Sequence, residues 1–497
     1  MLKRTLLVVF AICSTASFTA CPGGGTGTGG GGGSLGGGLG GGGGVGGGTG
    51  GGTTGGGATG GGATGGGATG GGATGGGATG GGSATGGGSA TGGGSGNGAF
   101  FQLDVGTDYP TAAVDSAGVF HVAYGTGFGQ TLRYGRCASG CSSPTGWTFT
   151  TLFTLTGTGS VDHGRIVVGP GNVLHLVYDR TLNSSDSTWY ATCSTNCAQP
   201  SSWQQADITS VVSGKYAFRG SPMVVDSSGR VSFVTSDLST NGSIFLNTCA
   251  SNCLSTASWS TGTMRQGGGR TTLAAGGTTL HRVMYDDNSR LRYASCTANC
   301  TTAAGWTESG PIFVHDGTMP TSLVVEAGGR LHLAYNQGYT SPSEPQNLKD
   351  QAYRLLVWQC DSNCTADTSW SGVILGNPND GEEGISLVEL GGGLVITFTN
   401  SISLWAGVCP GTCTTSTNWG LAPIDDGMSM AASVDPYQAF LCSGTRPSFA
   451  AWYPNDGVVA VSPTTGSALF VNAPYVIKTC AGTQTRSAGN LRVVFSQ

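Results

Sequence analysis

The sequence predicts an all-β chain whose folded part, residues 99–497, is a seven-bladed β-propeller, and three observations predict it. One spacing (Cys, three residues, Cys, five residues, Trp) occurs six times: Cys137/Cys141/Trp147, Cys193/Cys197/Trp203, Cys249/Cys253/Trp259, Cys296/Cys300/Trp306, Cys360/Cys364/Trp370 and Cys409/Cys413/Trp419. First Cys to first Cys, the steps are 56, 56, 47, 64 and 49 residues, which is a blade length and marks an array of one supersecondary unit. Each unit also holds four short β-prone stretches between Gly-containing turns, with almost no helical periodicity.

The chain opens on MLKRTLLVVFAICSTASFTAC. Lys3 and Arg4 supply a positive start, and Thr5 to Phe18 an apolar stretch too short for a membrane span. Residues 1–20 therefore read as a secretory signal, and Cys13 within the stretch is removed with it. From Pro22 to Gly98 the chain is nearly all Gly, Thr, Ala and Ser, with no charge between Arg4 and Asp104 and no aromatic between Phe18 and Phe100. Such a segment has too little to bury to offset its ordering entropy. It is expected to be a disordered tether with an end-to-end distance of about 50 Å.

Within each repeat the first stretch is apolar and ends in a turn, as in Ala112-Ala113-Val114-Asp115-Ser116-Ala117-Gly118 and Met223-Val224-Val225-Asp226-Ser227-Ser228-Gly229. Gly accepts the positive φ that such turns need. The second alternates (Phe120-His121-Val122-Ala123-Tyr124, Leu174-His175-Leu176-Val177-Tyr178), the third runs into the first Cys (Leu132-Arg133-Tyr134), and the fourth starts at the motif Trp. Six units are clear. In the atypical last blade, Ser429 to Val434 matches the first stretch and Phe449 to Tyr453 the second, and residues 99–106 are expected to close that blade. Six or eight blades are the alternatives.

In an exported chain, close Cys pairs are most simply disulfides. Each pair closes a short ring whose chain-entropy contribution is about 2 kcal/mol. Two thiolates per blade do not make a four-ligand metal site. Cys442 and Cys480 are left over and are expected to bridge the last blade. His121, His175, His281 and His332 share one repeat position, where Ser232 and Ile396 stand in other blades. A residue placed once per blade cannot converge on one substrate, so these read as scaffold hydrogen-bonding groups.

The connections from one blade to the next gather around a propeller axis. They carry polar residues that differ from blade to blade: Asp108 and Tyr109, His163 and Arg165, Arg219, Arg270, His315 and Asp316, Glu382 and Glu383, Asp425 and Asp426. These are the candidate ligand-binding residues, suited to a small polar ligand such as a sugar. An insertion in the fifth blade, Gln337 to Arg354, lies on the same face and is a second candidate. No catalytic set and no cofactor are predicted; an ion near Asp425 and Asp426 would be oxygen-held calcium. Once the signal is removed, 26 acids face 19 bases, which argues against a nucleic-acid partner. No phosphate-cradling loop, His-Glu-x-x-His or nucleophile elbow occurs.

Thr19-Ala20-Cys21 resembles the lipobox of bacterial lipoproteins, with Phe18 where that family usually has Leu. The resemblance implies an acylated Cys21 and a membrane anchor of two or three chains. The pattern Asp-x-x-Gly-x-x-His-hydrophobic-Ala-Tyr, then Leu-x-Tyr, then a Trp strand, resembles the repeats of secreted bacterial propellers of the sialidase-like and Asp-box group. That group holds lectins, hydrolases and proteins of unknown role, so the resemblance fixes fold more than function. The Gly-rich start resembles surface lipoproteins of myxobacterium-like Gram-negative bacteria. The expectation is thus a monomeric, non-enzymatic lipoprotein of the outer membrane, surface-exposed, engaging a glycan or an envelope protein. One alternative is a sialidase-like hydrolase with carboxylates among Asp316, Glu382, Glu383 and Asp425. Against it stand the missing Arg-Ile-Pro start and Asp turns that lie between strands one and two rather than three and four. The other alternative is an assembly scaffold of the envelope.

Overall fold

The computed structural model describes residues 99–496, apart from 127–128, 184, 213–221, 238–242, 266–270, 287–289, 315–320, 338–353, 377–384, 401–402, 426–448, 454–457, 473–474, 481–482 and 488. The signal, Cys21 and the Gly-rich segment lie outside these residues.

The described chain is all-β, with six four-stranded antiparallel blades in a propeller arrangement. The first comprises β1 (Ala99–Val114), β2 (Phe120–Thr126), β3 (Thr131–Cys137) and β4 (Thr148–Thr154). The second comprises β5 (Gly159–Val168), β6 (Leu174–Leu182), β7 (Ser185–Cys193) and β8 (Gln204–Asp207); the third β9 (Met223–Val225), β10 (Val231–Asp237), β11 (Ser243–Cys249) and β12 (Trp259–Arg265). The fourth comprises β13 (Thr271–Gly276), β14 (Thr279–Tyr285), β15 (Arg290–Cys296) and β16 (Thr307–Val314); the fifth β17 (Thr321–Val325), β18 (Leu331–Gln337), β19 (Arg354–Cys360) and β20 (Trp370–Gly376). The sixth comprises β21 (Ser386–Leu390), β22 (Gly393–Asn400), β23 (Ser403–Cys409) and β24 (Gly420–Asp425). After it come β25 (Phe449–Tyr453), β26 (Val458–Val461), β27 (Ala468–Asn472), β28 (Tyr475–Cys480), β29 (Thr483–Ser487) and β30 (Gly489–Ser496).

The strands after β24 carry no Cys–Trp motif, and they divide between two sheets. β26, β27 and β30 join β1 to β4 in one seven-stranded sheet, in which the first half of β1 pairs with β30 (Ala99 opposite Phe495) and the second half with β2 (Val114 opposite Phe120). β25, β28 and β29 form a separate three-stranded sheet. Phe449 to Tyr453 is therefore not the second strand of a blade, although its sequence matches that stretch. The shorter hairpin Val458–Val461/Ala468–Asn472 takes the position next to β30 instead. Ser429 to Val434 lies outside the described residues. Cys480 ends β28, while Cys442, its expected partner, lies outside them too.

The six-fold spacing has a local cause. The six pairs are disulfide-bonded, Cys137 to Cys141, Cys193 to Cys197, Cys249 to Cys253, Cys296 to Cys300, Cys360 to Cys364 and Cys409 to Cys413, with Cα atoms 5.6–5.8 Å apart. The first Cys of each pair ends its blade's third strand, and the second lies in the loop beyond it. In five blades the residue before the second Cys has a left-handed backbone: Gly140, Asn196, Asn252, Asn299 and Asn363, with φ from 53° to 67°. Asn and Gly are the residues that adopt this region at least cost. One 3-10 turn later the Trp Nε1–H donates to the carbonyl of the second Cys, at 2.7–3.4 Å in the six blades. Five residues between Cys and Trp are what this return contact needs.

The same Trp rings join the blades. Tyr134 meets Trp203 edge-to-face with ring centroids 5.1 Å apart, Tyr190 meets Trp259 at 5.6 Å, and Tyr293 meets Trp370 at 5.8 Å. Inner strands are stitched by hydroxyls as well. The Ile166 amide donates to Thr111 Oγ1 at 3.2 Å, the Leu387 amide to Ser322 Oγ at 3.0 Å, and the Val459 amide to Ser386 Oγ at 3.5 Å. Close approach fixes one glycine: a Cβ at Gly262 would collide with the Thr301 carbonyl of the next blade.

Register corrects one equivalence. His121, His175, Ser232, His281 and His332 each follow the residue opposite the blade's first Cys. In the sixth blade that position belongs to Val395, because Leu394 is opposite Cys409; Ile396 is one residue further along and points to the other side of the sheet.

Candidate functional site

The two ends of each blade differ. At one end lie the first turns, such as Asp115–Gly118, and the disulfide loops, since Phe120 is opposite Cys137. The Asp side chains organise these turns. Asp115 Oδ1 accepts from the amides of Ala117 and Val119, and Asp226 Oδ1 from those of Ser228 and Arg230. Neighbouring turns then touch. Ser116 donates to Asn172 Oδ1, the Ser227 amide to the Gly277 carbonyl, and Arg230 Nη2 to the Thr278 carbonyl.

The disulfide cysteines belong to the scaffold rather than to a ligand site. Cys141, Cys197, Cys253, Cys300, Cys364 and Cys413 each spend the sulfur on the pair and the carbonyl on the motif Trp. They lie at the end of the blades away from the connections that carry the candidate ligand residues.

That connection-bearing end holds the five candidate residues that are described. Asp108 and Tyr109 sit in β1 at a bulge between Asp108 and Thr111, and His163 sits in β5 at the equivalent bulge between Asp162 and Arg165. Arg165 itself is half-buried opposite Val177, the register position of Thr111, Thr272, Ser322 and Ser386 in other blades. An inner-strand place that holds a short hydroxyl in four other blades thus holds a guanidinium in the second. Asp425 ends β24. Arg219, Arg270, His315, Asp316, Glu382, Glu383 and Asp426 lie outside the described residues, as does the insertion over 338–353. Of the axial set only Arg165 has a described side chain. Among the described residues no three His, Cys, Asp or Glu side chains are grouped to hold a metal ion, and no helix is long and apolar enough to cross a membrane.

The repeated histidines belong to the scaffold as well. His121 Nδ1 shares a hydrogen bond with Tyr134 Oη at 2.7 Å, His175 with Tyr190 at 2.6 Å, and His281 with Tyr293 at 2.8 Å. Each tyrosine is the one that meets the next blade's Trp, so a His–Tyr–Trp contact crosses three seams. In the fifth blade Val357 stands at the tyrosine's place, and His332 Nε2 meets Glu326 Oε1 at 2.6 Å instead. Burial lowers the imidazole pKa of His121, His175 and His281 to about 4, from an ordinary 6.5. An unfolded chain binds these protons at a higher pH than the folded one. The stabilisation is therefore full above about pH 6.5 and is lost as pH falls toward 4, by of order 1–3 kcal/mol per histidine. A melting series from pH 7 to pH 4 should show a steady fall beginning near pH 6.5. Replacing all three by glutamine should flatten it.

Sequence reasoning missed Arg180, at the connection-bearing end of the second blade. Its guanidinium is sandwiched between Phe153 of the first blade (3.3 Å to the ring centroid) and Trp189 of its own blade (3.6 Å). Nη2 donates to Tyr178 Oη at 2.7 Å and to Gln205 Oε1 at 3.3 Å, and Gln205 Nε2 donates across the seam to the Leu152 carbonyl at 3.3 Å. Desolvation lowers its pKa. The signal was available: six residues after the strand position opposite the first Cys, the blades read Thr126, Arg180, Asp237, Asp286, Gln337 and Asn400. Only the second blade has a cation there.

No protein-family model and no curated protein matches the chain. Solved structures similar to it include a Hadza microbial sialidase (10% identity, 65% of this chain and 68% of the other, TM-score 0.43). A fucose-specific lectin from Aleuria aurantia is similar at 12% identity over 65% of this chain and 98% of the lectin, TM-score 0.41. A polysaccharide lyase is similar at 9% identity over 78% and 89%, TM-score 0.42. Likeness at this level says nothing of ligand or reaction.

Proposed function

We propose that this chain is a surface-anchored, non-enzymatic binding lipoprotein that engages a glycan or an envelope protein with the face bearing its blade-to-blade connections. One observation carries the reading: the chain enters and leaves the ring at the opposite end. Ala99 is paired with Phe495, and Ser496 with Ala468, which directly follows the β26–β27 turn. That turn packs on the Asp115 turn, where a Cβ at Gly118 would collide with Thr464 and Ser462. Ala99 and Ser496 therefore lie on the disulfide side, opposite the side with the non-repeated polar residues.

The finer parts of the reading follow from the same geometry. β26 lies between β21 and β1, and the Val459–Ser386 contact repeats the stitch between other inner strands. We take β26, β27, β30 and the start of β1 as a seventh blade without the Cys–Trp motif. Acylation at Cys21 would place the protein in the outer membrane as a monomer on a Gly-rich tether. The ionisable groups of the repeats serve the scaffold, which favours binding over catalysis. A glycan-array screen of the oxidised full chain, with calcium and with chelator, tests the reading. Saturable binding to a defined sugar, lost on Arg219→Ala with Asp316→Ala, is the expected result, and chelator sensitivity would add calcium at Asp425 and Asp426. An array without binding would remove the glycan and leave a protein partner.

A further inference from the structure

We infer that the seam between the first two blades holds a second binding site, for a sugar carrying a carboxylate, with Arg180 as its anchor. The site rests on the glycan-binding reading above but is separate from the axial residues.

Arg180 is 8% exposed, and the groups its Nη2 donates to, Tyr178 and Gln205, are neutral. Its Nε is buried with no hydrogen-bond partner. Taking a guanidinium out of water costs several kcal/mol unless an anion and further hydrogen bonds compensate. Stacking on two rings returns part of that cost and leaves the rest open. What sets Arg180 apart is the missing carboxylate rather than the bare Nε, which Arg133 and Arg230 share: Arg133 meets Asp104, Arg230 meets Asp226, and Arg290 and Arg292 meet Asp286.

The carboxylates near Arg180 in the same blade are engaged elsewhere. Asp179 Oδ1 accepts from Thr188, Asp186 Oδ1 from Thr181, and Asp207 Oδ1 from the Thr209 hydroxyl at 2.5 Å and amide at 2.9 Å. Asp207 contributes to the field at Arg180 without forming an ion pair with it. A cation held flat between rings keeps its planar donor edge in a fixed direction, the arrangement that recognises a carboxylate. Half-buried Phe153 and Trp189 beside it offer apolar surface to a pyranose ring, and this combination selects an acidic sugar over a simple anion. Among the described residues a guanidinium held between two rings occurs in one blade, unlike the His–Tyr contacts that recur in three.

The test is calorimetric titration of the full chain with trigalacturonate, its neutral methyl ester and acetate, in low salt. The site predicts saturable binding of trigalacturonate, weakened about tenfold or more both by esterification and by Arg180→Met, with acetate binding much more weakly. Should Arg180→Met fail to fold, the comparison of acid with ester on the unaltered chain still decides. Equal binding of acid and ester, no binding of either, or full affinity in a folded Arg180→Met chain would each overturn the site and leave Arg180 a seam clamp. Array binding that is lost with Arg219 and Asp316 but kept in Arg180→Met would preserve the axial reading while removing this one.

Discussion

Replacing Trp259 by alanine is expected to lower the stability of the ring by about 3–5 kcal/mol. The indole is 7% exposed, its Nε1–H donates to the Cys253 carbonyl at 2.9 Å, and it packs edge-to-face on Phe233 of its own blade and Tyr190 of the preceding one. The substitution thus removes a buried aromatic, orphans a carbonyl of the disulfide loop and cuts one blade-to-blade contact. Trp147 is the natural comparison. Its Nε1 contact is longer, 3.4 Å, and the aromatic ring it stacks on, Phe149, is in its own blade. Guanidinium unfolding should therefore rank Trp259→Ala as costlier than Trp147→Ala. Equal losses would mean that the seam contacts add little to burial within a blade.

A chain beginning at Thr107 is expected to lose cooperative folding altogether. The residues removed pair with β30 from Ala99 to Asp104, and Phe101 and Leu103 pack against the core of the first blade. Asp104 also accepts from Tyr124 Oη at 3.0 Å and from Arg133. Without that strand, β30 becomes an open edge, which invites association with other chains. Size-exclusion chromatography should show aggregates and calorimetry no single melting transition, whereas Asp104→Asn alone should cost about 1–2 kcal/mol. A monomeric truncated chain with an unchanged melt would mean that the ring does not depend on its first strand.

How much of this was legible in the sequence depends on how local the cause is. The Cys–Cys–Trp spacing, the Asp-x-x-Gly turns and the alternation of Phe120 to Tyr124 are set by contacts within one blade, so they repeat and can be read by laying the repeats together. The last strands could not be placed in that way. Phe449 to Tyr453 has the composition of a second strand, but position in the ring is decided by pairing with β30, to which the hairpin from Val458 to Asn472 is better matched. The displacement of Ile396 by Val395 has the same origin, since a one-residue change of register exchanges the two faces of a strand. Arg180 was passed over because Phe153, one of the two rings that hold it, belongs to the preceding blade, and a contact across a seam leaves no spacing signature. The axial residues were read from the sequence as a list of non-repeated polar groups, and of them Arg165 departs from the short hydroxyls found at its register position in four other blades.

The central claim is that the face away from the chain ends is the one that binds. It is tested most directly by holding the oxidised full chain on a sensor surface in two orientations, through a tag after Gln497 or through a tag inserted between β2 and β3, and passing the sugar found on the array over both. Attachment through the C-terminus should give the full binding signal, and attachment through the β2–β3 connection should abolish or greatly reduce it. The reverse pattern, or equal binding in both orientations, would contradict the assignment of that face.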